Sequence, residues 1–446
     1  MEAPAQTNKN GRARFRGDPQ ESLKERWNVV THNNKALTAI LCGAGNRGLD
    51  GYGAYSLSRP DRLKIVGVAD PRILRRNLAR ERHHLKERNL FENWAELVQQ
   101  ERLADVAIVA TPDNDHVEPT LALLQRGYHV LLEKPMALCE EDCWRLVECA
   151  EKTKRILTVC HVLRYAPYFR EIKSVLDSGR LGQTIAIRHF EPVNFWRFAH
   201  SFVRGNWNNE ERAAPFILSK SCHDFDLLAY LVGQPCRTIS SFGSLAHFHS
   251  KNKPPESASR CLDCSLAEHS CPYSASRYYL GEMRSGNLDW PVNVVTPEFT
   301  EEALLQALRT GPYGRCVYDC DNNVVDHQVV NLEFEGGVTA SFTASAFTDH
   351  RVRETEVMGS LASLKGNGRD LELYDFQSRQ VERWEVAATG RHLGGDSAML
   401  ESFFRAVRSG DRSLLDTGPR ESVASHLMAF AAETSRKTGE SQALNG

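Results

Sequence analysis

Leu37-Thr38-Ala39-Ile40-Leu41-Cys42-Gly43-Ala44-Gly45-Asn46-Arg47-Gly48 is the stretch that decides the fold. An apolar run suited to a buried strand, Leu37 to Leu41, leads straight into G-x-G-x-x-G. In that setting each glycine has its own reason. Gly43 permits the tight turn after the strand, Gly45 lets backbone approach a pyrophosphate, and Gly48 lets the following helix pack on the strand. Free N–H groups at the helix N-terminus then face the anion. Gly43, Gly45, Asn46, Arg47 and Gly48 are therefore expected to hold a dinucleotide. Asp70 closes the next apolar run, 22 positions after Gly48, where a carboxylate for the adenosine ribose hydroxyls belongs. That carboxylate favours NAD. Arg72, two residues on, reads either as a partner for the extra phosphate of NADP or as a solvated surface arginine.

Working outward, short apolar runs alternate with helical stretches from Ala36 to His161, the pattern of β-α-β units and a parallel sheet. The expected strands are Leu37 to Leu41, Leu63 to Ala69, Val106 to Ala110, Val130 to Leu132 and Ile156 to Cys160. Val117 to Arg126 and Glu140 to Lys154 are amphipathic and long enough for crossover helices. Beyond His161 the texture changes. Thr184 to Phe190 reads as a strand and His223 to Val232 as a helix. Val329 to Phe334, Val338 to Ala344, Leu371 to Tyr374 and Val381 to Val386 alternate as half-buried antiparallel strands, with Glu335-Gly336-Gly337 as a hairpin turn. Helices near Ser397 to Ser409 and Glu421 to Lys437 close the chain. The fold class is α/β: a doubly wound Rossmann sheet over residues 35–161, then an α+β domain over 162–446 with a large open, mainly antiparallel sheet.

The bulk composition is that of a globular protein. With 446 residues, two domains are expected before any motif is read. A formal net charge of -2 gives no basic field for nucleic acid. The longest apolar runs fall far short of the roughly 20 residues that span a bilayer. Residues 1–34 are polar, carry both Arg12, Arg14 and Arg16 and Glu2, Asp18 and Glu21, and read as a disordered extension rather than a secretory or transit signal. Twelve cysteines at this length are too sparse for a disulfide scaffold and read as reduced thiols, which points to the cytoplasm.

Two more segments follow expected strands of the parallel sheet: Thr111-Pro112-Asp113-Asn114-Asp115-His116 and Glu133-Lys134-Pro135. Ligands of doubly wound sheets bind at such carboxyl edges. With Gly43 to Gly48, Val68-Ala69-Asp70-Pro71 and His223-Asp224-Phe225-Asp226-Leu227-Leu228, they make the chain resemble the Gfo/Idh/MocA family of NAD(P)-dependent oxidoreductases. The resemblance implies that Thr111, Pro112, His116 and Glu133 belong to the cofactor site, and that Lys134 lies near the nicotinamide with His223 facing it. It also implies hydride transfer to or from a CH–OH group of a sugar, inositol or related polyol, and homo-oligomers formed through the open sheet. The roles are chemically sensible: a histidine titrates closest to working pH, and an ammonium stabilises a developing alkoxide. Where many members carry an aspartate four positions before the histidine, this chain has Ser219, followed by Lys220. Lys220 is either a second cation toward the substrate or a cap at the approach to the helix. Two other activities stay open: a glycoside hydrolase or lyase that oxidises its sugar transiently on bound NAD, and a dinucleotide sensor, which would not need Lys134 and His223.

The stretch containing Arg164, Tyr165, Asn194, Trp196, Arg197, His200, Arg204, Asn206 and Trp207 mixes ring faces with planar polar groups, as sugar sites require. Arg164 and Trp207 are the individual substrate-binding expectations. Cys261-Leu262-Asp263-Cys264, with His269 and Cys271 after it and Cys316 or Cys320 as a fourth position, reads either as a structural zinc site or as a loop of buried thiols.

Overall fold

The computed structural model describes residues 35–387 and 390–444; the expected N-terminal extension, 1–34, lies outside them. The chain first builds six strands: β1 Leu37–Cys42, β2 Leu63–Ala69, β3 Leu90–Phe91, β4 Val106–Val109, β5 His129–Leu132 and β6 Leu157–Val159. All pair in parallel in the order β3-β2-β1-β4-β5-β6. Strands buried on both faces read as continuous apolar runs, and β4, Val-Ala-Ile-Val, is buried at every position. The order reverses between β1 and β4. Loops leaving the carboxyl ends of these two strands diverge there and open a crevice.

Both faces of this sheet are covered, and distant chain does part of the covering. On one face Leu41, Tyr52, Val68, Ile108 and Leu131 pack with Met399, Leu400, Phe403 and Phe404 from the helix Gly395–Ser409. On the other, Ile40, Val109, Leu123, Val130 and Leu146 pack with Val423 from the helix Pro419–Thr438. The expected division at residue 161 thus marks a change of texture, while the cores interlock across it.

The second sheet has nine strands: β7 Thr184–Pro192, β8 Cys236–Ser244, β9 His327–Phe334, β10 Thr339–Ser345, β11 Glu354–Gly359, β12 Ala362–Gly366, β13 Asp370–Asp375, β14 Val381–Glu385 and β15 Gln442–Ala443. Their order is β14-β13-β12-β11-β7-β10-β9-β8-β15, antiparallel except for the parallel pair β7 and β10. The expected turn between β9 and β10 is present, with Gly336 and Gly337 at φ of 80° and 84°. The inner face, including Ile187, Val330, Leu332, Phe342 and Val357, packs on Phe169, Ile172, Phe225 and Leu228 from the helices Pro167–Asp177 and Cys222–Val232. The outer face bears Ile185, Phe242, Val329, Met358, Tyr374 and Val381, all exposed. No described helix is long and apolar enough to cross a membrane.

Candidate active site

The glycine loop has the geometry of a nucleotide cradle. Gly43 sits at φ +92°, and a Cβ there would lie 2.4 Å from the Ala110 carbonyl oxygen at the end of β4. A Cβ on Gly48 would lie 1.9 Å from the Gly43 carbonyl oxygen. Gly45 differs: a Cβ there would meet only the tip of Arg72, at 3.8 Å, so its backbone borders open space. Two glycines are required by the protein's own packing and the third leaves room for a ligand. Asp70, at the end of β2, accepts the Ala44 N–H at 2.7 Å and four-point contact is completed by Arg72, through its N–H and Nε at 2.9 Å and Nη2 at 2.7 Å. Burial would raise the Asp70 carboxyl, but the Arg72 guanidinium outweighs it and holds the group below its usual range. These residues fit a dinucleotide.

Glu133 and Lys134 follow β5 and point to different neighbours. Buried Glu133 accepts from Arg47 Nε at 2.6 Å and from the Tyr52 hydroxyl at 2.5 Å. Burial favours its neutral form; Arg47 prevails and keeps it ionised. Arg47 also reaches Asp396 at 2.7 Å, and Asp396 holds His392 at 2.8 Å. The Lys134 ammonium donates to the Ser219 carbonyl, one turn before His223. His116, expected at the cofactor, braces the two loops instead, with its ring nitrogens 2.6 Å from the Pro135 carbonyl and 3.0 Å from the Thr111 carbonyl. Thr111 bonds the Asp115 carbonyl at 2.7 Å, and Pro112 precedes the turn Asp113–Asp115.

His223 lies in the first turn of the buried helix Cys222–Val232. Its ring centroid lies 5.9 Å from that of His161 and 5.9 Å from that of His392. Burial, with Lys134 next in importance, depresses its pKa well below the ordinary value, so it is neutral at neutral pH. Its Nδ1 is buried without a hydrogen-bond partner among the described residues, as are both ring nitrogens of His161. His392, His161, Glu191, Arg353 and Asp224 were not singled out in the sequence. They are scattered over the chain, and only Asp224 lies in a recognisable motif.

Lys220 faces a buried charge network. Its ammonium pairs with Glu191 of β7, whose other oxygen takes Arg353 Nε at 2.7 Å. Arg353 also bonds Asp224 at 2.5 Å, and Asp224 lies 3.1 Å from His189 Nε2. Burial brings Lys220 down to about 8, with Glu191 opposing. Arg353, with His189, holds Asp224 below the carboxylate range against its burial. Lys220 thus lies in a buried ion network with Glu191 rather than acting as a helix cap.

The remaining expectations separate. Trp207 Nε1 donates to buried Asp113 at 3.0 Å, so it ties the second domain to the loop after β4. Arg164 spends Nε and Nη2 on Asp226, at 2.7 and 2.8 Å, and Nη1 on the Asp416 carbonyl, a scaffold arrangement rather than a substrate contact. Among the described residues no group of three or more His, Cys, Asp or Glu is placed to hold a metal, so the zinc reading is not supported. The Cys261 sulfur instead accepts from Arg204 at 3.5 Å and from the Ala275 N–H at 3.4 Å, and His269 lies on the surface beside Glu268. Cys261, Cys264, Cys271 and Cys316 line a mostly apolar cavity of about 290 Å³ as free thiols.

With this geometry established, comparison gives two family matches. Residues 37–161 match the Gfo/Idh/MocA oxidoreductase family's NAD-binding Rossmann fold, and residues 173–439 match its C-terminal alpha/beta domain. Among curated relatives, the putative oxidoreductase YteT of Bacillus subtilis is 25% identical over 319 residues, 67% of this chain and 72% of YteT. Inositol 2-dehydrogenase 2 of Saccharopolyspora erythraea is 32% identical over 139 residues, 31% of this chain and 38% of that relative. An oxidoreductase from Agrobacterium radiobacter, solved with NAD+, L-tartaric acid and magnesium, shares the fold at a TM-score of 0.66 and 14% identity, covering 92% of this chain and 98% of the other.

The buried histidines give the site a pH signature. Burial lowers His161 to about 3, against about 6.5 unfolded. Between those values the unfolded chain binds the additional proton, so this contribution to stability is complete above about pH 6.5 and is lost as pH falls toward 3. Urea unfolding between pH 4 and 7 should show the His161→Gln variant with an acid slope shallower by up to about 1.4 kcal/mol per pH unit. An unchanged slope would mean that His161 is not neutral in the fold.

Proposed function

Since the chain belongs to the Gfo/Idh/MocA oxidoreductase family, we propose that it transfers hydride between NAD(H) and a CH–OH group of a sugar, inositol or related polyol, with Lys134 and His223 at the reacting hydroxyl. The observation that carries this reading is the approach of Lys134, at the carboxyl edge of the nucleotide-binding sheet, to the Ser219 carbonyl beside a buried, neutral His223. When bound, the nicotinamide supplies the hydride acceptor or donor. Gly43, Gly45, Asn46, Arg47 and Gly48 frame the pyrophosphate position and Asp70 the ribose. Lys134 stabilises negative charge on the substrate oxygen as the C–H bond breaks, and the neutral imidazole of His223 accepts the hydroxyl proton. His223 is buried, and a low-dielectric surrounding strengthens both effects.

Three further assignments rest on single features. Asp70 engages Nε and Nη2 of Arg72, so the arginine's charge is shared with a carboxylate that repels a 2′-phosphate; NAD is the cofactor on this reading. The exposed apolar outer face, where Phe242 is 62% exposed and paired across strands with Val329, is the surface on which a second copy of the chain docks. Twelve free thiols suit a reducing compartment such as the cytoplasm.

Replacing Lys134 by Ala or His223 by Asn should lower turnover by roughly two to four orders of magnitude, with NAD+ binding unchanged by calorimetry. Parental turnover in both variants would remove these residues from the reaction. The parent should bind NAD+ more tightly than NADP+, and Asp70→Ala, which frees Arg72, should shift the preference toward NADP+; a parent that prefers NADP+ contradicts the assignment. Light scattering should report an oligomer that Phe242→Asp dissociates, whereas a monomeric parent would leave the outer face without this role.

A further inference from the structure

The substrate side of the site holds more positive charge than its carboxylates balance. Glu191 and Asp224 are matched by Lys220 and Arg353, each carboxylate taking a hydrogen bond or ion pair from Arg353 and Glu191 a second from Lys220. Arg197 stands beside this network and has no ion-pair partner among the described residues. Its guanidinium lies over the Trp290 ring at 5.5 Å, and Trp290 leans on Trp196 at 5.4 Å, which in turn packs on Tyr278 at 4.3 Å. Asn194 fixes the backbone that carries it: its side-chain oxygen accepts the N–H groups of Trp196 and Arg197 at 3.2 and 3.4 Å, and its amide donates to the Asp349 carbonyl at 2.9 Å.

Arg197 is half-buried against the aromatic rings and beside other cations, so its N–H groups are open to an incoming anion without competing with a carboxylate of the chain. Burial first, then Arg351 and Arg353, weaken its hold on its proton, with Glu191 opposing. Glu191 makes no ion pair with it: one oxygen takes the Lys220 ammonium, and the other lies 2.7 Å from Arg353 Nε without an aligned hydrogen bond. A cation stacked on a ring still presents its N–H edge, and that planar fork matches carboxylate and phosphate oxygens. The network is continuous with the reacting residues. Arg353 bonds Asp224, the neighbour of His223, and Lys220 lies three positions before His223.

We propose that the substrate of this site is an anionic sugar or polyol derivative, bearing a carboxylate or phosphate that Arg197 grips against the Trp290 face with Lys220 and Arg353 behind it. This rests on the dehydrogenase reading of the same site and names the class of substrate it takes. A neutral polyol leaves Arg197 unpaired and gains nothing from it. Replacing Arg197 therefore changes affinity for the acid and not for its neutral parent.

Calorimetric titration of the NAD+-loaded full chain tests this with D-glucuronate, D-galacturonate and glucose 6-phosphate against glucose and galactose, while NADH absorbance is followed in parallel. The expected result is at least about tenfold tighter binding of an acid than of its neutral parent, the scale of one charge-assisted contact. Arg197→Met should erase that advantage without changing the thermal midpoint, and Arg197→Lys should restore part of it. Preference for glucose 6-phosphate over the uronates identifies phosphate as the anion, and the reverse order identifies carboxylate. Equal or tighter binding of the neutral sugars, or an acid preference that survives Arg197→Met, overturns the proposal. NADH formed from neutral sugars with no acid preference overturns it while leaving the dehydrogenase standing. Acid binding without NADH from any sugar supports anion recognition and removes the dehydrogenase.

Discussion

A single buried carboxylate organises the site. Glu133 is enclosed at the end of β5, and an ionised carboxylate in that position is tolerable only with a counter-ion and satisfied lone pairs. Arg47 supplies the charge and Tyr52 a hydroxyl, and both come from the segment that begins with the glycine loop. Arg47 is shared with Asp396 at the start of the helix Gly395–Ser409, and Asp396 holds His392, whose ring lies near His223. The nucleotide loop, the turn that carries Lys134 and the chain beside His223 are therefore joined through one guanidinium. Loss of Glu133 would leave Arg47 to Asp396 and Tyr52, and the turn that carries Lys134 to the His116 contact with the Pro135 carbonyl.

On the opposite wall the logic is reversed, because there the cations are in excess. Ser219 contributes only its carbonyl to Lys134, and the charge that an acidic residue would bring at this position is absent. Glu191 and Asp224 are drawn from a strand and a helix far apart in sequence, and Arg353 binds both. A network of this kind is expensive to break at one member, since the remaining partner is left charged and buried.

What could be read in the sequence follows from how local each signal is. The glycine loop, Asp70 and strands β1, β2, β4, β5 and β6 are local patterns, and they were legible because a central parallel strand must be apolar throughout. Strands β7, β9, β10 and β13 alternate in their buried positions, while β14 is an exposed strand marked only by Val381 and Trp384. Strand β8, Cys-Arg-Thr-Ile-Ser-Ser-Phe-Gly-Ser, was missed because its polar residues mask the alternation, and β11 and β12 because they are short and carry few apolar residues. Lys134 and His223 were legible through motif and spacing. Arg353, Glu191 and His392 were not, since their meaning comes from being brought together by topology. Arg164 misled for the converse reason: a lone arginine in an aromatic stretch carries no mark of the buried Asp226 that engages it. The cysteine motif failed on geometry, as spacing alone does not turn three sulfurs toward one point.

The two expected domains are also less separable than their textures suggest, for a reason visible in the lengths of the helices. The helices Ile73–His83, Val117–Gln125 and Glu140–Thr153 cover part of the six-stranded sheet, while the helix after the glycine loop already ends at Ser58. Phe403 and Phe404 on one face and Val423 on the other complete the covering, from chain that has already passed through the second sheet. Apolar area removed from water is the dominant favourable term in folding, so the nucleotide-binding sheet reaches its stable form only when the C-terminal helices have returned to it. The same helix that fills its core carries Asp396, the partner of Arg47, in its first turn. Packing and catalytic geometry are thereby tied to one element: the segment that completes the Rossmann core is the one that brings His392 to His223 and fixes the glycine loop against Glu133.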